Sequence, residues 1–331
     1  MEPADLARDT AVRPLGDGRY RAHLPSHWDF FAPSGGVLMT IALRAMQAEA
    51  PTFRPMAATT TFVSAVPAGE LTIEVVRLRE GNVATQLRAT LRHVSSNDVG
   101  LEVTATFVKD REGPEVHRRA LPADARTWDD APPLFPPGSE AKLSFFRQVE
   151  GRIAIGAPVF TSATFPPGEP RYARWFRYLV PQRTRDPQRD PHHAPHHEPH
   201  HEPQHEPHHE PRHDPQRDAA RDPYDDSRCD AAREPEDAID LFDPLALPPL
   251  VDTMPAALVM ALGSDHPPIF MPSLDLTVHF LAPTTHDRLL CVSTCRFADR
   301  GFASCDIELR DPDGALVAFG TQTMIVRRPP R

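Results

Sequence analysis

Gln322 is the first side chain whose type and position suggest chemistry. Arg300–Val326 reads as two strands joined by a tight turn. In the first, Ile307 and Leu309 fall on one parity and Asp306, Glu308 and Arg310 on the other, the period-two pattern of a strand with one wet face. Asp311-Pro312-Asp313-Gly314 supplies the backbone angles of a turn. Leu316–Val326 is then apolar on both parities, as in a strand buried on both faces. Gln322 shares parity with Leu316, Ala318, Gly320 and Met324. A buried amide needs partners for its oxygen and its NH2, either a neighbouring backbone or a polar site.

Two other places carry chemical potential. Pro248-Pro249-Leu250-Val251-Asp252-Thr253-Met254-Pro255 leads into the apolar helical run Ala256–Leu262, ended by Gly263. The helix can open at Pro248 or Pro249 and kink near Pro255. Alternatively Asp252 is the N-cap and Pro255 lies in the first turn, where a missing N–H costs little. Either start predicts the Asp252 carboxylate near the positive end of a helix. A carboxylate so placed caps a helix or accepts a proton as a general base. The other place is Ser34-Gly35-Gly36, ahead of the Ala-, Leu- and Met-rich run Val37–Ala50. Ser34 is a candidate N-cap. Gly35 and Gly36 admit a close backbone or a ligand, and N–H groups at a helix start can hold an oxyanion.

Composition removes several classes. The 331 residues carry a net charge of −10. Fourteen Asp/Glu against eight Arg between Gln182 and Glu236 contribute −6 of it. The remaining −4 argues against nucleic acid or an anionic membrane as partner. Met1–Pro14 has no apolar run of the signal-peptide kind, and no apolar stretch is expected to reach the roughly 18 residues of a membrane helix. Cys229, Cys291, Cys295 and Cys305 read as reduced core thiols of a cytoplasmic protein, without the close pairs of a zinc site. His27 and His279 read as packed residues rather than bases. The chain has no Gly-x-Ser-x-Gly elbow and no Gly-rich dinucleotide or phosphate loop. Neither a metal nor a cofactor is expected.

The elements that must position these residues come in two sets. The first is a short strand at Gly18–Leu24, the Val37–Ala50 helix, and strands at Thr59–Ala65, Glu70–Leu78, Ala84–His93 and Leu101–Lys109. Glu112–Glu140, with Pro132-Pro133 and Pro136-Pro137, reads as a linker crossing the surface. The second set has strands at Leu143–Ile155 and Tyr172–Val180, the Ala256–Leu262 helix, and strands at Ser273–Leu281, Arg288–Phe297, Phe302–Arg310 and Leu316–Arg327. Between them, about 182–236, Pro recurs every four residues from Pro187 to Pro215, and ten of the seventeen histidines lie there. That segment holds no Leu, Ile, Val, Phe, Met or Trp, so it is expected to be a disordered insert. The boundaries are thus 1–111, a linker at 112–140, and 141–331.

The two sets repeat one order, and residues align loosely: Thr61-Phe62, Pro67 and Leu71 with His279-Phe280, Pro283 and Leu289; Arg79-Glu80-Gly81 with Asp299-Arg300-Gly301; Thr104-Ala105-Thr106-Phe107 with Phe319-Gly320-Thr321-Gln322. The fold class is α+β, two tandem antiparallel sheets each wrapping a central helix. With Trp28 through Pro33-Ser34-Gly35-Gly36, Phe62 through Pro67-Ala68-Gly69, the Arg79-Glu80-Gly81 turn, and Asp313-Gly314 through Gln322, the chain resembles the double hotdog thioesterases of the acyl-CoA thioesterase II-like group. The resemblance spans nearly the whole chain apart from 182–236.

The resemblance implies an Asp at the second helix, a Thr or Ser on the next strand and a Gln on the last, together holding one water. These positions fall on Asp252, Ser273 and Gln322. Asp275 is a rival or supporting carboxylate on the face of Ser273. Phe107 and about Pro55 stand opposite Gln322 and Ser273 in the first half, so one site per chain is expected. The implied activity is hydrolysis of acyl-CoA to a free acid and CoA, with Gly35 and Gly36 toward the substrate and a dimer of double hotdogs as the assembly. The alternatives are a hotdog protein that binds acyl-CoA or an acyl chain without turnover, and a dehydratase. The latter needs a His beside Asp252, and none is near it in sequence.

Overall fold

A computed structural model describes residues 3–117, 119–135, 143–159, 161, 163–185 and 240–329. Met1–Thr184 with Asp240–Arg331 form one compact unit. Of the second, Arg185–Ile239, only Arg185 is among the described residues, so the expected disorder of the insert lies outside them. The four described residues at its start, Gln182–Arg185, are ordered. Gln182 is buried, its Nε2 donates to the Val180 carbonyl and its Oε1 accepts from Ala7 N–H. The compositional boundary at 182 is therefore early by a few residues, because one amide ties the chain down.

The elements are α1 (Leu6–Asp9), β1 (Arg13–Gly16), β2 (Arg19–Leu24), α2 (Gly35–Glu49), β3 (Arg54–Phe62), β4 (Gly69–Arg79), β5 (Ala84–His93), β6 (Leu101–Val108), β7 (Val149–Ile155), β8 (Arg171–Tyr178), β9 (Arg183–Arg185), β10 (Asp240–Phe242), α3 (Pro248–Val251), α4 (Ala256–Leu262), β11 (Asp275–Phe280), β12 (Arg288–Asp299), β13 (Phe302–Arg310) and β14 (Leu316–Ile325). Twelve strands form one sheet in the order β1-β2-β4-β5-β6-β3-β11-β14-β13-β12-β8-β7. This order is palindromic. β3 answers to β11, β6 to β14, β5 to β13 and β4 to β12.

The two expected sheets are thus continuous. β3 and β11 would each end a separate sheet as an unpaired edge, and they pair antiparallel instead. Thr59 faces Thr277 at this seam with their Oγ atoms 2.9 Å apart.

Each helix lies against this sheet for a compositional reason. α2 buries Val37 through Leu43, Ala45 and Met46, and a helix that is apolar nearly all round belongs in a core. Strands facing it alternate, with Leu71, Ile73 and Val75 of β4 and Leu87, Ala89 and Leu91 of β5 buried. The second helix is broken. α3 opens at Pro248, Asp252 is its C-cap residue, and α4 begins only after Pro255. Of the two starts read from the sequence, the one opening at Pro248 with a break near Pro255 is observed. The apolar run Pro244–Leu262 does reach 19 residues, contrary to the expectation that none approaches membrane-span length. It is 78% buried within the fold, as a core segment is.

Two further segments depart from their sequence reading. Ser144–Arg147 is a 3-10 turn rather than the start of a strand. Phe145 and Phe146 are consecutive and both buried, Phe145 against Trp28 and Phe30 and Phe146 against Phe135 and Phe176, and a tight helical turn lets both rings pack. In the linker, Trp128 and Ala131 are buried against Ala154, Ala173, Trp175, Leu290 and Val292 as a second small core. Cys291, Cys295 and Cys305 are free and buried, and Cys229 lies outside the described residues.

Candidate active site

Asp252, Ser273 and Gln322 meet at one point. Gln322 projects from β14 and is buried; its Nε2 donates to Asp252 Oδ1 at 2.8 Å and to Ser273 Oγ at 2.6 Å. Ser273 sits just before β11, in an isolated bridge with Met324, two residues from Gln322 and on its parity. The Asp252 carboxylate comes from the C-cap of α3, where its own N–H still bonds the Pro248 carbonyl at 3.0 Å, just before the break that precedes α4.

The helix start that holds Asp252 belongs to the other half of the chain. Asp252 Oδ2 accepts from Ser34 Oγ at 2.8 Å and from Gly36 N–H at 3.0 Å. Ser34 occupies the N-cap position of α2, yet its side chain makes no capping bond there. Asp252 fills that role from 218 residues away along the chain, satisfying an N–H that the helix itself leaves unpaired. The expectation of a carboxylate near a positive helix end therefore holds for α2, while in its own helix Asp252 stands at the C-terminal end. The short spacing Asp252–Ala256 drew attention to the wrong helix.

Gly36 is explained by packing. A Cβ there would lie 2.3 Å from the Pro248 carbonyl oxygen and 2.7 Å from Pro249 Cα. Without it α3 could not approach and Asp252 would not reach the Gly36 N–H. Gly35 lines the cavity, with a Cβ-position 2.5 Å from the Phe62 ring; Gly36 does not line it. Of the two glycines expected to face a ligand, only Gly35 does.

Burial pushes the Asp252 carboxyl above its ordinary value. Hydrogen bonds from Gly36 N–H, Ser34, Gln322 and Gly35 N–H oppose the shift and do not cancel it. The result is a carboxylate more basic than one in water, held in a fixed direction by at least three donors.

A cavity of about 460 Å³ opens on this cluster. Ser34, Gly35, Asp252, Thr253 and Ser273 form its polar end, and Leu38, Phe62, Val66, Phe146, Val259 and Met271 are among its apolar walls. It has the size and polarity split of a small-molecule site. Gln322 lies behind Asp252 and Ser273, outside the lining, with Oε1 unpartnered among the described residues.

The remaining sequence candidates lie elsewhere. Asp275 Oδ1 accepts from Thr323 N–H at 3.0 Å, which ties β11 to β14 beside Ser273. His279 is exposed beside Phe319 and His27 is exposed on a turn. No histidine lines the cavity among the described residues.

Two contributors escaped the sequence reading. Ser34 was visible only as a cap. Arg174 of β8 is fully buried, and its Nη2 donates to the Thr253 carbonyl at 2.7 Å, bracing the residue next to Asp252. The rings of Tyr172 and Phe176 lie 4.9 and 5.0 Å from its guanidinium. The only signal for it was a basic residue inside the aromatic run Tyr172–Tyr178.

The acyl-CoA thioesterase N-terminal domain family matches residues 24–108, and the acyl-CoA thioesterase C-terminal domain family matches residues 180–326. No curated protein matches the chain. A hot dog-fold protein of Alicyclobacillus acidocaldarius is similar over 98% of both chains, with 19% identity and a TM-score of 0.67. An acyl-CoA thioesterase II of Mycobacterium marinum is similar over 98% of this chain and 99% of its own, with 17% identity and a TM-score of 0.62. These likenesses establish the double hotdog fold. The two domain matches span most of the sequence in the right order, and the chain belongs to the acyl-CoA thioesterase family.

Proposed function

We propose that this thioesterase hydrolyses acyl-CoA with a single water held between Asp252 and Ser273, and that Gln322 fixes both. The observation that carries the proposal is the pair of bonds from one Gln322 Nε2 to Asp252 Oδ1 and Ser273 Oγ. They hold a carboxylate and a hydroxyl side by side at the polar end of an apolar cavity. Orienting a water in this way removes much of the entropic part of the barrier.

The chemistry follows from donor and acceptor counts. Ser273 Oγ accepts from Gln322 with one lone pair, which leaves its own proton for the cavity. That proton goes to the water or to the carbonyl oxygen of the thioester. Asp252 accepts a proton as the water oxygen attacks the carbonyl carbon. The tetrahedral intermediate then expels the CoA sulfur, which takes the proton from Asp252, and the acid and thiol leave. No covalent acyl-enzyme forms. The apolar walls receive the acyl chain. A cytoplasmic location, supported by the buried free thiols, and a dimer of double hotdogs complete the proposal; light scattering tests the dimer.

The test is thiol release from short, medium and long acyl-CoAs by wild type and Asp252→Asn. Release by wild type and its loss in the variant supports hydrolysis at Asp252. Wild-type binding of acyl-CoA without release overturns it in favour of an acyl-CoA-binding protein.

A further inference from the structure

The rim of the cavity carries features that the hydrolytic cluster does not use. Phe31 lines the cavity yet is 82% exposed. The ring is open to whatever enters the cavity beside it. Phe270, also in the lining, meets it edge to face at 6.3 Å and 78°. Phe270 is fixed by a two-way backbone bridge to Arg327, with N···O distances of 2.7 and 3.1 Å. The Arg327 guanidinium lies over the Phe270 ring, 5.3 Å from its centre. Arg327 is exposed and enters no ion pair among the described residues. Many arginines elsewhere in this chain are ion-paired, for example Arg44 with Asp243 and Arg171 with Asp124.

We infer that Phe31, Phe270 and Arg327 form a binding site for the nucleotide end of CoA, with Arg327 on a phosphate and the exposed Phe31 ring against adenine. The inference rests on the proposed acyl-CoA substrate and adds to it a site for the part of that substrate remote from the bond broken. Four steps support it. The chain from Ser273 back to Phe270 spans at most about 10 Å, so the rim lies within the reach of an extended pantetheine arm whose thioester is at Ser273. Guanidinium is the side chain suited to phosphate, and it keeps its charge at every working pH. Aromatic faces stack on a base in a sequence-independent way. In a chain of net charge −10, a cation with no carboxylate partner among the described residues, stacked on the Phe270 ring of the cavity lining, gives an anion a local place to bind.

The experiment compares an acyl-CoA with the S-acyl-pantetheine of the same acyl group, which lacks every phosphate and the adenine. In wild type, KM for acyl-CoA is expected about tenfold below that for acyl-pantetheine, the gap closing as salt is raised. Arg327→Ala should raise KM for acyl-CoA about tenfold, leave its kcat, and leave both constants for acyl-pantetheine unchanged. Phe31→Ala should act in the same direction. Equal changes on both substrates, or none on either, overturn the site. Should wild type hydrolyse neither, calorimetric binding of free CoA against free pantetheine decides instead. Tighter binding of CoA that Arg327→Ala abolishes supports the site, and equal affinities overturn it, whatever becomes of the hydrolytic reading.

Discussion

Where β14 carries Gln322, β6 carries Ala105; where Ser273 stands beside Met324, Pro55 stands beside Phe107. The register makes this comparison exact in residue numbers. Thr59 and Thr277 face each other at the seam. Thr104 stands beside Thr59 and Thr321 beside Thr277, so the next residues outward, Ala105 and Gln322, are equivalent. The loose sequence alignment set Phe107 against Gln322, two residues out but on the correct parity. Its pairing of Pro55 with Ser273 agrees with the ladders. Two copies of one scaffold have thus diverged at a few positions, and one copy now buries only apolar groups there.

The half without the polar pair still serves the site. Its helix α2 donates Ser34 and Gly36 to Asp252 of the other half. A helix start is an electrostatic feature that either copy could offer. What the second copy adds is a helix that breaks at Asp252, so that a carboxylate crosses to the first. Division of labour between duplicated halves here means backbone donors from one and side-chain chemistry from the other.

The largest expected effect comes from removing the proposed base, the Asp252 carboxylate that both halves hold. Asp252→Asn keeps the shape, and kcat/KM for acyl-CoA should fall at least about a hundredfold. Stability should move the other way. A carboxyl whose folded value lies above its unfolded one favours the folded state most below about pH 4. That advantage is lost as pH rises to the folded value. Asp252→Asn should therefore melt no lower than wild type at pH 7, the comparison turning against it below pH 4. A large fall in Tm at pH 7 would mean that the ionised carboxylate is a net stabiliser.

Next in size is Gln322→Leu, which makes the second half resemble the first. It removes the donor that joins Asp252 to Ser273, and kcat should drop about 10- to 100-fold with KM little changed, as for a group that orients rather than binds. A rise in KM alone would instead make Gln322 a wall of the substrate pocket.

Much of this arrangement was legible in the residues. The exact ends of Ala84–His93 and Phe302–Arg310 follow from apolar spacing and turn residues, whereas Asp306 and Arg310, read from their alternation onto a wet face of β13, are buried. The polar residue on an apolar parity singled out Gln322. What could not be read was long-range. Nothing local to Ser34 shows that its hydroxyl leaves its own helix for a carboxylate 218 positions away. Nothing local to Thr59 and Thr277 shows that their strands pair. Asp252 was placed at a helix end for a sound electrostatic reason, but only tertiary packing decides which helix. That packing depends on Gly36 having no Cβ.

A smaller effect tests the cross-half cap. Ser34→Ala deletes a donor that favours the ionised form of Asp252. The carboxyl should rise further, and the acid limb of kcat/KM should move up by about one pH unit, a charged hydrogen bond being worth about 1.5–3 kcal/mol. Because the base must be ionised, the loss grows as pH falls and vanishes on the alkaline plateau. An unshifted limb with a uniformly lower plateau would show that Ser34 positions groups without tuning the charge.

The smallest effect on activity is expected where the comparison is run backwards. Ala105→Gln puts an amide at the position equivalent to Gln322, beside Pro55 and Phe107 instead of Ser273 and Met324. Ala105 is 5% exposed, so the new side chain has little water to reach and stands opposite Ala58 and Leu87 on the flanking strands. Burying it unpartnered should cost about 1–3 kcal/mol of stability, seen as a lower urea midpoint at constant m-value, with thioesterase activity per folded molecule unchanged. A gain of activity would mean that the first half already holds a carboxylate within reach, and that the asymmetry between the copies rests on this one amide rather than on the broken helix that delivers Asp252.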